Sequence, residues 1–203
     1  MERAELKELS KQQIQGKIGT HFLIMLIVIG ITLAVSFITS ADVPFGELGI
    51  SIAVSLFINA PLTIGLIAVY LKISNGEDIR VSNLFDRFLD WWGAWKVSFF
   101  TTLFTMLWML LFIIPGIVKS LSYSMAMYIF AENPNMGALD AIRRSKEMMD
   151  GYKMDLFILG ISFIPWILLV ALTFGIAAVW VIPYMQVTIA NFYKLLKEKK
   201  NVI

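Results

Sequence analysis

The sequence predicts an all-α protein that crosses a lipid bilayer six times, as three transmembrane hairpins each preceded by a cytoplasmic amphipathic helix. Three observations carry this reading. Hydrophobic residues make up 58% of the 203-residue chain and charged residues 16%, against roughly 45–50% and about 25% in soluble domains. The apolar residues come in runs of about twenty, the length that spans a ~30 Å hydrocarbon core. The basic residues fall in clusters between those runs.

Residues 2–15 carry Leu6 and Leu9 among charged neighbours and read as the first, weaker amphipathic helix. The apolar run behind it exceeds the roughly 7–15 residues of a cleavable signal core, so a retained span is expected. That span, residues 21–40, holds twelve strongly apolar side chains between Phe22 and Ile38. They favour insertion by roughly 4–7 kcal/mol before polar costs. Pro44 and Gly46 mark a loop over 41–48, and residues 49–71 form the second span.

The segment 82–92 follows, with Ser82-Asn83 placed to cap a helix. Leu84, Phe85, Phe88, Leu89 and Trp92 share one face of it, with Asp86, Arg87 and Asp90 on the other. Trp91, Trp92 and Trp95 suit the headgroup level and are expected to anchor this helix at the membrane surface. Two long apolar stretches, 97–131 and 154–193, each exceed one crossing. Each has a turn signal near its middle, Pro115-Gly116 in one and Gly175 in the other. They divide into spans 97–114, 117–131, 154–173 and 176–193, with single tilted crossings as the competing reading. Between them, residues 135–150 set Ala138, Ala141, Ile142, Met148 and Met149 on one face, and Gly151 stands as a C-cap glycine.

Basic residues favour six spans. Four Lys or Arg lie in each of the amino-terminal segment, the second connection, the fourth connection and the tail, so sixteen of seventeen share one side. The positive-inside bias makes that side cytoplasmic, with both termini there. Lys119 alone falls within a span. A repeat accompanies the alternation: Ser10-Lys11 stands six residues before Gly16, and Ser145-Lys146 six before Gly151. The middle unit keeps Gly93 and Lys96.

Several function classes lose support. A net charge of +2 gives nucleic acid no electrostatic footprint. Zero cysteines and a single histidine, His21, supply no thiolate or histidine metal set. Walker A and H-E-x-x-H sequences are absent, and no carboxylate pair falls within a span. No catalytic residue, cofactor or metal is therefore expected.

The candidate functional residues are polar ones in apolar surroundings. Lys119, Ser122 and Tyr123 share a helical face that could border a polar cavity, with Asn59 at mid-depth beside Pro61. The plainer account has Lys119 snorkelling to the interface. Pro165 and Pro183 lie within the fifth and sixth spans, where packing competes with substrate binding. Tyr184, Gln186, Thr188 and Asn191 form a stripe suited to interhelical hydrogen bonds. Arg143, Arg144 and Lys146 could contact anionic headgroups, at about 1 kcal/mol per charge, or form a solvated, topology-setting face.

Residues 107–119, reading LWMLLFIIPGIVK, open a longer pattern. It continues through Ser122-Tyr123-Ser124-Met125, Glu132-Asn133-Pro134 and residues 145–153, SKEMMDGYK. It closes with Ser162 to Trp166, Leu172 to Ile176 and Pro183-Tyr184. Together these resemble the bacterial integral membrane family catalogued as domain of unknown function nine-seventy-five, across nearly the whole chain. Ile164-Pro165 departs from the glycine and apolar residue of that pattern, which bears on local helix geometry alone. The layout more distantly resembles the membrane domains of some glycerophosphodiester phosphodiesterases, without their catalytic domain. The resemblance implies a multi-pass protein of the bacterial cytoplasmic membrane and supplies no activity. Lateral contact with membrane lipid, a membrane protein partner or a second copy is the leading expectation, and a small-solute permease the alternative.

Overall fold

The computed structural model describes residues 3–39 and 48–200, with side chains over 4–37 and 58–200. The described residues form α-helices with no strand: α1 (Arg3–Ile14), α2 (Ile18–Thr39), α3 (Leu48–Ser74), α4 (Trp91–Leu111), α5 (Ile113–Tyr123), α6 (Ala126–Glu132), α7 (Ala138–Met148), α8 (Lys153–Ile161), α9 (Ile164–Leu172) and α10 (Ala178–Lys200).

Four stretches among the described residues are long and apolar enough to cross a membrane: Ile18–Phe37, Val81–Leu111, Ile113–Glu132 and Lys153–Leu172. The second expected span lies within α3, but the side chains of 49–57 fall outside the described set, leaving the shorter apolar stretch Ile58–Ser74. The sixth begins two residues later than expected, and α10 runs past it through lysine-bearing turns to Lys200. The loop expected at 41–48 lies outside the described residues except for Leu48.

Helix ends follow local chemistry. Gly16 and Gly151 adopt φ of +79° and +84° just beyond α1 and α7, the left-handed position that lets a helix stop without a Cβ penalty. The turn between α4 and α5 is tighter than Pro115-Gly116 suggested. Phe112 alone is extended, at φ −157° and ψ 137°. Pro115 then sits in the first turn of α5, where its missing N–H costs nothing. Gly175, at φ +90°, makes the turn before α10 as expected.

Two expectations need correction. Residues 82–92 do not form one amphipathic α-helix; they make two 3-10 turns, Val81–Leu84 and Phe88–Asp90, before α4 starts at Trp91. The backbone here closes i→i−3 bonds, from the Phe85 N–H to Ser82, the Phe88 N–H to Phe85 and the Asp90 N–H to Arg87. The Asn83 side chain accepts from the Arg80 N–H at 2.8 Å, as in a capping box, and donates to the Asp86 carboxylate at 2.8 Å. Gly93 is likewise not a helix break. It lies inside α4, and a Cβ there would stand 2.2 Å from the Phe130 ring.

The amphipathic segments also pack on the helices of the bundle. Leu6, Ser10 and Ile14 of α1 are buried, and α1 packs on α10. Ala138, Ala141, Ile142, Ser145 and Met148 of α7 are buried, against α4 and α6. Leu84 is fully buried where the first 3-10 turn meets α3. Each amphipathic segment thus docks on the helix that ends the preceding hairpin, and α1 closes the series on the last. The same order relates α4 to α3, α8 to α5 and α2 to α10.

The core sits where α3, α6 and α10 converge, with Ile64, Ile73, Phe130 and Tyr193 essentially inaccessible. Outside it the apolar surface faces outward. Only 11% of the apolar window is buried in Ile18–Phe37, Val81–Leu111 and Lys153–Leu172, against 44% in Ile113–Glu132. Leu33, Leu110, Ile114 and Leu172 are each more than half exposed, a contiguous display that water-soluble monomers avoid.

Candidate functional site

Two of the apolar stretches are interrupted. The stretch 113–132 breaks between α5 and α6, and 153–172 between α8 and α9. A break frees backbone groups that must find partners when buried. At the first, the Ser145 hydroxyl reaches in from α7. It donates to the Ser122 carbonyl at 2.9 Å and accepts the Met125 N–H at 3.1 Å. At the second, Lys7 on α1 donates to the Ser162 carbonyl at 3.1 Å and lies 4.7 Å from the centre of the Phe163 ring. Burial, with the Lys11 charge second, holds the Lys7 ammonium below its usual pKa. Pro165 starts α9 rather than kinking a continuous span.

The remaining polar groups tie helix ends together. Asn191 donates to Ser10 at 2.9 Å and to Gln13 at 2.7 Å, so this part of the expected stripe does join helices. Thr188 instead donates to the Tyr184 carbonyl of its own helix. Gln13 and Lys194 both donate to the Ser74 carbonyl, at 2.7 and 2.9 Å.

A charged pocket of about 510 Å³ opens beside this junction, between α3, the 3-10 turns, the end of α6 and α10. Lys72 pairs with Asp86 at 3.0 Å and Lys197 with Glu132 at 2.6 Å. The Tyr193 hydroxyl donates to the same Glu132 carboxylate at 2.9 Å. Hydrogen bonds from Lys72 and Asn83 hold the Asp86 carboxyl below the usual carboxylate pKa. The charges around this pocket therefore compensate one another.

A second space, about 540 Å³ and almost wholly apolar, is a groove on the side of the bundle. Leu156, Phe157, Gly160 and Ile161 of α8 form one wall, and the α5–α6 break from Leu121 to Tyr128 forms the other. Its counterpart, about 220 Å³, lies between α1, α2, α9 and α10, with Trp166, Trp180 and Tyr184 in its walls. The two grooves occupy corresponding places, each between the end of one hairpin and the start of the next.

The residues named from sequence are distributed as follows. Lys119 turns its ammonium over the Trp108 ring, 4.6 Å from the centroid. Ser122 donates to the Val118 carbonyl within its own helix, and Tyr123 is buried with its ring 6.3 Å from that of Phe104. Asn59 is exposed on α3. None of these four lines the two grooves or the charged pocket.

Arg143 is exposed and pairs with Asp140 at 2.6 Å; Arg144 is half-buried and Lys146 exposed on the same helix. Trp91 and Trp92 are exposed, and Trp95 is half-buried. The Trp92 and Trp95 rings stack at 5.2 Å, and Trp95 stacks on Phe99 at 5.1 Å. His21 is buried and shares a hydrogen bond with the Tyr70 hydroxyl at 3.2 Å.

Sequence reasoning singled out Ser145 as half of a repeat and not as the group that bridges a break. Lys7 passed as one more charge on an amphipathic helix. Pro165 was the available signal for the second break, because a proline is at home in a helix's first turn. Nothing comparable marks the first.

Residues 1–120 and 97–200 match the family model described as Protein of unknown function (DUF975). No curated protein and no solved structure matches the chain.

Proposed function

The chain belongs to the DUF975 family of proteins of unknown function, and on that premise we propose that it is a multi-pass protein of the bacterial cytoplasmic membrane working through lateral contacts. It crosses six times as three hairpins, with both termini on the cytoplasmic side. It acts without catalysis, on lipid or on a neighbouring membrane protein. The observation that carries this reading is the outward apolar surface, since only 11% of the apolar window is buried in three of the four long stretches. Their side chains need a solvent of their own kind. The charge count supports the orientation, because the sixteen clustered basic residues fall on one side of such a bundle.

Lateral contact is supported over passage of a solute by where the open spaces lie. The two apolar grooves open on the flank, while convergence of α3, α6 and α10 fills the centre with Phe130, Tyr193 and their neighbours. Purification in polymer discs that retain native lipid tests the reading. Enriched anionic lipid or a stoichiometric protein partner is expected. Lipid matching the bulk membrane, with no protein partner and equal thermal stability in anionic and zwitterionic vesicles, overturns it. The absence of native cysteines makes the topology testable with single-cysteine variants. An impermeant maleimide on intact cells should label Ile114→Cys and spare Glu198→Cys; the reverse pattern refutes the orientation.

A further inference from the structure

We propose that the groove between α8 and the α5–α6 break is a binding site for one acyl chain of an anionic glycerophospholipid, whose phosphate is held by Lys153. The proposal rests on the lateral-contact reading and gives it a place and a ligand class.

Helical phase makes the first connection. Leu156, Phe157, Gly160 and Ile161 follow Lys153 by three, four, seven and eight residues, spacings that lie along one face of a helix. Lys153 is the first residue of α8. It therefore stands at the end of the apolar wall, on the side that carries the basic clusters. A half-buried lysine at the head of an apolar wall matches a ligand with a negative head and a hydrocarbon tail. A transmembrane helix of a partner would supply the tail without the charge. Anionic lipids are concentrated in the cytoplasmic leaflet, where this end lies in the proposed orientation.

Gly160 makes the second. A glycine within a helix is less favourable than alanine, and it leaves space for the close approach of some other group. At Gly65, Gly93 and Gly116 that group is protein, lying within 2.5 Å of where a Cβ would be. At Gly160, as at Gly19 and Gly30 of α2, nothing beyond the neighbouring helical backbone lies within 4 Å of a Cβ position, but of these three Gly160 is the one that lines a groove. The missing side chain leaves a notch in a wall otherwise made of Leu, Phe and Ile, with room for a group from outside the chain.

The break itself shapes the opposite wall. Ending α5 at Tyr123 and restarting at Ala126 leaves a step between Leu121 and Tyr128. Because Ser145 satisfies the backbone across the break, and Ser124 donates to the Leu121 carbonyl, the step presents apolar surface to the groove. An acyl chain can lie along it without burying an unpaired polar group.

The test is native mass spectrometry of the detergent-solubilised full chain, titrated with phosphatidylglycerol or phosphatidylcholine of matched acyl chains. Wild type should retain phosphatidylglycerol at several times the level of phosphatidylcholine. Lys153→Glu should abolish that preference while still binding either lipid weakly. Gly160→Leu, whose Cβ meets no other group and whose longer side chain fills the notch, should reduce retention of both by about tenfold. Photo-crosslinking of wild type with a diazirine-bearing phosphatidylglycerol supplies a readout independent of variant folding, with label expected within 121–128 and 156–164. Wild-type preference with unaffected variants and label elsewhere overturns this site but leaves lateral lipid contact intact. Absence of any retained or crosslinked lipid overturns the site and removes lipid from the broader reading as well.

Discussion

Replacing Ser145 with alanine removes one hydroxyl and orphans two backbone groups. The hydroxyl is fully buried, donates to the Ser122 carbonyl at 2.9 Å and accepts the Met125 N–H at 3.1 Å. The Met125 N–H lies between α5 and α6 and makes no backbone hydrogen bond there. A buried polar group left unpaired costs roughly 1–3 kcal/mol, so Ser145→Ala should destabilise the fold by about 2–4 kcal/mol. Ser10→Ala provides the internal control. Ser10 is as deeply buried, but its hydroxyl donates to the Leu6 carbonyl of its own helix and accepts from Asn191, which also donates to Gln13. Its loss should cost about 1 kcal/mol, a typical net hydrogen bond. Chemical unfolding in detergent micelles gives the two values, and hydrogen exchange at Met125 should accelerate in Ser145→Ala alone. Equal losses in the two variants, or an unchanged Met125 amide, would refute the view that Ser145 replaces helical hydrogen bonds across the break.

Two further outcomes follow from the geometry. Gly65→Ala would bring a Cβ within 2.0 Å of the Leu84 carbonyl oxygen, and the backbone shift this demands should cost about 1–3 kcal/mol. Gly160→Ala meets nothing and should be neutral or stabilising by roughly 0.5–1 kcal/mol; thermal unfolding of the pair checks both signs. Asp86→Asn tests pH dependence. The Asp86 carboxyl is held below its usual pKa by Lys72 and Asn83, so its contribution is complete above the unfolded value of about 3.9 and disappears as pH falls through the lowered folded value. Wild type should exceed Asp86→Asn in stability at neutral pH by a small margin, given the exposure of the pair. That margin should close under acid, and a margin that widens there refutes the assignment.

Much of the helical layout was legible because burial in hydrocarbon and hydrogen-bond closure leave few alternatives. Both ends of α1 and α7 and the start of α8 fall within three residues of expectation, since Gly16, Gly151 and the charged flanks act locally. Residues 82–92 misled for the opposite reason. The spacing of Leu84, Phe88 and Trp92 suits a helix, but the segment closes as 3-10 turns, and Asp86 is tied to Asn83 and to Lys72, eleven residues earlier than Asn83, a long-range contact that spacing does not reveal. The break before Ala126 was illegible because its cause is a hydroxyl twenty residues on. The groove was illegible for a related reason: Gly160 looked like one more small residue until its neighbours proved to be absent.

The docking of α1 onto α10 has a consequence for how the chain is made. Ser10 and its partner Asn191 stand 181 positions apart. Synthesis at about 5–20 residues per second separates their appearance by roughly 10–40 s. Throughout that interval Leu6, Ser10 and Ile14 have no permanent seat, and the newborn amino-terminal helix needs a temporary host, either the bilayer interface or a chaperone. The emergence of α10 is thus what retires α1 from the interface, and the series of hairpins can lock only once α10 has been made.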